Sequence, residues 1–98
     1  MYVAVVHKIK NPEVAFGRGE RLIKNEGAPA GVRGLQFYPS RDGAWVTCLW
    51  EAQSLDDVRR YVDQTLGDSS ENTCYEVNAE RAFSRQPLGI GENAASTV

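Results

Sequence analysis

Two segments that are apolar on both of their faces constrain this fold more than any other feature of the chain. Residues 2–9 read YVAVVHKI and residues 44–52 read AWVTCLWEA. Alternate side chains of a β-strand point to opposite sides of the sheet, and a strand with one face in water alternates apolar with polar residues. Both segments carry apolar side chains at both parities, which is typical of central strands covered on both faces.

Helix signals follow both segments. The N-P-E stretch at 11–13 supplies an N-cap, a proline at the first helical position and an acid in the first turn. Ser54 and Asp57 form a capping box, and Gly67 predicts the end of that second helix. Each helix has one apolar stripe at helical spacing: Ala15, Phe16, Gly19, Leu22 and Ile23 in the first, and Leu55, Val58, Tyr61, Val62 and Leu66 in the second.

The remaining segments complete the order of elements. Residues 32–38 predict a second strand, which a turn at 39–43 joins to the third, and residues 73–77 predict a short fourth strand after a polar loop at 68–72. The order β-α-β-β-α-β predicts an α+β fold of the ferredoxin-like kind. We expect a four-stranded antiparallel sheet of spatial order 4-1-3-2, with both helices on one face.

Length and charge narrow the classes of protein. The 98 residues are enough for one domain, which we place at 1–83, followed by an arm or flexible tail at 84–98 that has little to bury. A net charge of −2 with scattered arginines argues against nucleic acid as a partner. No apolar run approaches the ~18 residues of a membrane span, and we expect a cytoplasmic protein.

The second sheet face predicts a partner. With helices on one side only, the apolar residues on the other side of the two central strands would form an exposed patch, which monomers rarely tolerate. A second copy packed sheet to sheet about a twofold axis is the simplest cover, because a self-complementary patch needs no other gene product. We therefore expect a homodimer whose two sheets form a barrel.

Two stretches, IKNPEVAF at 9–16 and CLWEAQSLDDVRRYVD at 48–63, resemble the dimeric α+β barrel superfamily over residues 1–83. That superfamily includes antibiotic-biosynthesis-type monooxygenases, muconolactone-isomerase-like enzymes and stress-responsive barrel proteins. The chain is most similar to its uncharacterised small bacterial members, whose first strand likewise ends in a histidine just before a helix-starting proline. The resemblance implies a homodimer and a pocket between sheet and helices, and, for an enzyme, cofactor-independent oxygenation or isomerisation. It carries over no catalytic motif.

His7 is the single histidine and the main candidate for chemistry. On a central strand its imidazole is half-buried and needs a partner for at least one ring nitrogen. It is then either a structural histidine or a general base and substrate anchor at the mouth of a pocket. Metal binding ranks third, because one histidine and two distant thiols do not assemble a ligand set within one subunit.

Five further residues are candidates for contact with a bound molecule. Trp50 and Tyr75 combine an aromatic body with a polar tip, while Phe16, Phe37 and Cys48 are apolar lining candidates. We expect Cys48 and Cys74 to be reduced thiols two strands apart, and nothing near Cys48 in sequence lowers its pKa for a nucleophilic role. No C-x-x-C, H-E-x-x-H or Walker-type glycine loop occurs, and we expect neither metal nor cofactor.

These features leave two hypotheses for function. In the first, a small homodimer binds or transforms a small apolar or aromatic molecule in a pocket between sheet and helices, with His7, Trp50 and Tyr75 as polar contacts. In the second, the barrel is a non-enzymatic structural or regulatory dimer module and His7 is structural.

Overall fold

A computed structural model of the protein describes residues 1–85. Its elements run in the predicted order, and the sheet is antiparallel with the order β2-β3-β1-β4, which is the predicted order reversed. The α+β ferredoxin-like fold class is therefore confirmed. The elements are β1 Tyr2–Ile9, α1 Pro12–Ile23, β2 Arg33–Pro39, β3 Trp45–Glu51, α2 Leu55–Leu66, a 3₁₀ turn Gly67–Ser69 and β4 Ser70–Glu76.

The predicted end signals act as expected at both helices. The Asn11 side chain accepts a hydrogen bond from the backbone N–H of Val14, and the Ser54 hydroxyl accepts one from Asp57, at 3.3 and 3.1 Å. Gly67 ends α2 with a positive φ of 57°, a conformation that glycine adopts without strain.

Both helices cover the same face of the sheet. Register places His7 opposite Val46 on β3 and opposite Asn72 on β4, so these three residues share the helix-covered face. The core forms between this face and the helices, and its largest apolar members are Val3, Val5, Leu22, Trp50, Val58, Tyr61, Val62 and Leu66.

Two polar contacts fasten α1 to the elements beside it. The Arg18 guanidinium donates to the Leu66 carbonyl oxygen at the end of α2, at 2.9 Å. The Tyr61 hydroxyl on α2 donates to the carbonyl oxygen of Glu26, just past α1, at 2.6 Å. Helix α1 is therefore held near its middle and beyond its carboxyl end.

The fourth strand is longer than predicted. The segment expected to be a polar loop, 68–72, is a 3₁₀ turn followed by the start of β4 at Ser70. The strand tolerates polar residues here because they bond to each other: the Ser70 hydroxyl donates to the Asn72 side-chain oxygen at 2.7 Å.

The second strand contains an irregularity that alternation did not predict. Its register against β3 shifts between Gly34 and Gln36, which inserts Leu35 as an extra residue. Leu35 is 38% exposed and lies outside the core, whereas strict alternation along residues 32–38 would put it on the same face as Phe37.

We call the sheet side away from the helices the open face. It carries large exposed side chains from three strands: Tyr2, Trp45 and Tyr75 are 40%, 48% and 55% exposed. It also carries Thr47 at its centre and Lys8 near one end, and is therefore less uniformly apolar than the sequence pattern suggested.

Neither helix of residues 1–85 has the length and apolar character needed to cross a bilayer. The arm expected at 84–98 lies outside the described residues beyond Arg85.

Candidate functional site

A cavity of about 230 Å³ lies between α1 and the sheet. Helix α1 contributes Ala15, with only a methyl group, and Gly19, with no side chain, and both leave space above the strands. A Cβ built on Gly19 would lie 4.0 Å from Leu66, whereas one on Gly17 would meet nothing within 4 Å. The lining is mostly apolar, with His7 and Cys48 as polar groups on the sheet side and the charged Glu20 on α1.

Both ring nitrogens of His7 have partners. Nδ1 lies 2.7 Å from the side-chain oxygen of Asn72, and Nε2 lies 3.3 Å from the Cys48 sulfur. The imidazole is only 2% exposed. Strand register explains the cluster, because β1 lies between β3 and β4 and brings residues of both strands to His7.

The partners of Asn72 fix which His7 nitrogen carries the proton. The Asn72 amide nitrogen donates to a carboxylate oxygen of Asp63 at 2.9 Å, and the Ser70 hydroxyl donates to the Asn72 oxygen. That oxygen is an acceptor, so His7 Nδ1–H must be the donor to it. Nε2 then carries the lone pair and accepts from the Cys48 thiol. The cluster is an ordered chain from the exposed Asp63 carboxylate to the buried thiol.

Burial keeps both groups at the inner end of this chain neutral. Removal from water lowers the pKa of His7 below its usual value, although the hydrogen bond to Asn72 and the charge of Asp63 oppose the shift. Burial also raises the pKa of Cys48 to about 12. At neutral pH the pair is therefore an uncharged imidazole whose Nε2 accepts a hydrogen bond from a protonated thiol.

The structure brings four of the six predicted site residues together. His7, Phe16, Phe37 and Cys48 all line the cavity.

Trp50 and Tyr75 lie elsewhere, so the expected trio of polar contacts does not assemble. Trp50 pairs with Val3 at the far end of the sheet and packs edge-on against Tyr61, with ring centroids 5.8 Å apart. Within residues 1–85 its buried indole N–H finds no acceptor, although buried polar groups usually have a partner. Tyr75 pairs with Ala4 on the open face, on the other side of the sheet from the cavity.

Sequence reasoning missed Asn72, Asp63 and Ser70. The signal was present in SENTCYE at 70–76, where Ser70, Asn72 and Cys74 share one parity as they would in a strand. Treating 68–72 as a loop hid that alternation, and with it the partner of His7.

Residues 1–85 contain no group of three or more His, Cys, Asp or Glu side chains that could hold a metal ion. Both cysteines are free thiols, and Val5 on β1 pairs with Cys48 on one side and Cys74 on the other.

No protein-family model matches the chain, and neither does any curated protein. Among solved structures, that of Rv0793 from Mycobacterium tuberculosis is similar, with a TM-score of 0.52 and 16% sequence identity. The match covers 84% of this chain and 100% of the Rv0793 chain. At this identity the likeness shows a shared small α+β fold.

Proposed function

We propose that this protein binds a small, uncharged, largely apolar molecule of aromatic size in the cavity beneath α1. The observation that carries the proposal is the cavity itself, which is partly open to solvent and has a mostly apolar lining with a few polar groups, as small-molecule sites usually do. A dry apolar cavity of about 150 Å³ is large enough to hold benzene. The cavity here is about 230 Å³ and leaves room for a ring with one substituent.

The charges around the cavity argue against an anionic ligand. Among the lining residues within 1–85, Glu20 is the one that is charged, and burial keeps His7 neutral. An anion would meet a carboxylate and no cation, at an unfavourable cost of losing its hydration. A neutral molecule avoids both penalties.

His7 supplies the polar contact we propose for that molecule. A thiol is a weak hydrogen-bond donor, so a ligand hydroxyl can replace Cys48 as the donor to Nε2. The same lone pair would allow His7 to act as a general base, as the isomerisation or oxygenation suggested by the family resemblance requires. A neutral phenol is the simplest ligand that combines a ring with such a hydroxyl.

Binding of 4-ethylphenol, measured by isothermal titration calorimetry against 4-ethylbenzoate, tests the proposal. We expect the phenol to bind and the benzoate to fail. Gly19→Leu places a side chain in the cavity and should abolish binding, while Gly17→Leu adds the same side chain to an exposed position of the same helix and should leave binding intact. Equal affinity in the two variants would contradict the proposal.

One observation favours the second candidate, a non-catalytic module with a structural histidine. Both ring nitrogens of His7 are already occupied, as in a histidine that only holds strands together. Under this alternative, His7→Gln lowers stability, and 4-ethylphenol binds to neither the variant nor the parent chain.

We also propose that the chain is a cytoplasmic member of the dimeric α+β barrel superfamily and dimerises through the open face. The exposed aromatic side chains of Tyr2, Trp45 and Tyr75 support this, since aromatic residues are enriched at interfaces. Thr47→Glu puts a charge at the centre of that face and should give monomers in sedimentation velocity. Gln64→Glu adds the same charge to an exposed position of α2 and should leave the dimer intact. A monomeric parent chain at micromolar concentration would refute the dimer.

A further inference from the structure

We propose that Cys48 is a nucleophile that adds to an uncharged conjugated carbonyl compound bound in the cavity, with His7 as its base. The inference rests on the proposed function, because the same cavity must first admit the ligand. It deepens that function by assigning a reactive group and a chemical class of ligand. Nothing in the sequence around Cys48 pointed to this role, which comes from strand pairing.

The geometry places a base on the thiol. Nε2 of His7 lies 3.3 Å from the Cys48 sulfur, and the hydrogen-bond chain through Asn72 leaves the Nε2 lone pair facing the S–H group. A nucleophile and a base in hydrogen-bond contact, with the base oriented by a third group, is the arrangement that activates thiols. Here Asn72 is the orienting group, and it is itself fixed by Asp63.

Cys48 needs a base, because burial raises the pKa of its thiol to about 12 and leaves almost no thiolate at neutral pH. A histidine that is already protonated cannot accept the thiol proton, and burial keeps His7 unprotonated at neutral pH. When the proton does move, the resulting imidazolium donates to the Asn72 oxygen from Nδ1, and the Asp63 carboxylate lies behind Asn72. The positive charge that forms on His7 is therefore compensated from the surface side.

The reaction balances without a co-reactant. The Cys48 sulfur forms a bond to the β-carbon of the conjugated carbonyl compound as the carbon–carbon π bond breaks, and the thiol proton passes to His7 Nε2. The electron pair of the π bond becomes an enolate, which takes the proton back from Nε2 at its α-carbon. The product is a thioether, with no water consumed and no leaving group released.

Addition of this kind needs a single base that takes the proton and returns it, and the described lining of the cavity offers only His7 and the Glu20 carboxylate as bases. Acyl transfer would need a second proton transfer to a leaving group and then water to release the enzyme. An apolar lining admits an uncharged enone and disfavours charged thiol reagents.

The test uses 4-phenylbut-3-en-2-one as the electrophile and its saturated counterpart 4-phenylbutan-2-one as the non-reactive control. The full chain is incubated with the enone at neutral pH, and peptide mass mapping then follows the adducts on Cys48 and Cys74. Cys74 is the internal reference, because it is the more exposed thiol and has no histidine partner among the described residues. We expect the Cys48 adduct to form first, with a saturable rate, and the saturated ketone to slow Cys48 alone.

Two variants isolate the role of His7. His7→Gln should slow the Cys48 reaction by about 10²-fold or more, the usual contribution of a general base, and leave the Cys74 rate unchanged. Asp63→Asn keeps an acceptor for the Asn72 amide but removes a charge that raises the pKa values of both His7 and Cys74. It should therefore slow Cys48, move the acid limb of its pH–rate profile to lower pH, and speed up Cys74.

Opposite changes in the two thiols of one variant cannot come from a loss of folding. Labelling of Cys74 alone in the folded chain, or an unchanged Cys48 rate in His7→Gln, would overturn the inference. If the saturated ketone binds but the enone forms no Cys48 adduct, the nucleophile is wrong and the binding function stands. If neither ketone binds but 4-ethylphenol does, the ligand class is wrong and the binding function stands; if 4-ethylphenol fails as well, the proposed function itself fails.

Discussion

The layer between the sheet and the helices is filled at one end and hollow at the other. At the filled end the Trp50 ring packs against Tyr61 and lies so close to Gly34 that an added Cβ would sit 3.4 Å from it. At the hollow end Ala15 and Gly19 of α1 face the sheet, and the cavity remains. Val3 and His7, which mark the two ends on β1, are separated by roughly 13 Å. The volume of a few helix and strand side chains thus decides whether the same fold makes a core or a binding site.

Alanine substitutions at the two ends should differ most in how much unfolding free energy they cost. Trp50→Ala should cost about 3–5 kcal/mol of unfolding free energy, since it empties the filled end. Phe16→Ala should cost at most about 2 kcal/mol, because Phe16 is half-buried and already borders empty space. Urea denaturation measures both.

Trp50→Phe serves as the control for the larger effect. It keeps a ring at the filled end and removes a buried N–H that has no acceptor within residues 1–85, so it should cost much less than alanine. Equal losses for Trp50→Ala and Phe16→Ala would show that the two ends are packed alike.

Low pH should destabilise the fold through His7, which lies at the hollow end. The pKa of His7 is lowered in the folded chain, so the unfolded chain binds the proton more readily below about pH 6.5. Stability is therefore complete above that pH and falls as the pH drops towards the folded pKa, by up to about 1.4 kcal/mol per pH unit. Unfolding measured between pH 7 and 5 checks this.

His7→Gln should flatten that part of the pH profile, whereas Trp50→Phe, at the other end, should leave it unchanged. A profile that keeps its slope in His7→Gln would assign the effect to other groups.

The smallest expected effect on stability comes from alanine substitutions at two glycines of α1. Gly17→Ala and Gly19→Ala should each stabilise the protein by about 0.5–1 kcal/mol, because both remove the backbone entropy of a helical glycine. The Gly19 methyl would make an ordinary contact with Leu66 and take volume from the cavity. Thermal unfolding should thus show two similar gains, while only Gly19→Ala weakens binding of 4-ethylphenol.

The sequence predicted most of the fold because its signals are local. Capping at Asn11 and Ser54, and apolar residues at both parities in β1 and β3, depend on neighbours along the chain. The bulge at Leu35 and the early start of β4 were missed because they depend on what the partner strand and the buried side offer.

The candidate site was less predictable for the same reason. Alternation along β1 puts His7 on the same face as Val3 and Val5, but it does not say which end of the layer is filled. Trp50, which we expected to contact a bound molecule, lies at the other end of the layer from this cavity. The parity of Tyr75 was readable, but relating it to His7 needs the pairing of β4 with β1.

Because Arg18 and Tyr61 hold α1 in place, they affect how fast a ligand can enter and leave the cavity. A helix tied at two places does not swing aside as a lid, so a ligand must pass through the side of the cavity that is already open, beside the exposed Ile23 side chain. Ligands narrower than that opening should exchange rapidly with solvent, and wider ones should exchange much more slowly. The width of the opening, more than the volume of the cavity, would set the size limit for a ligand.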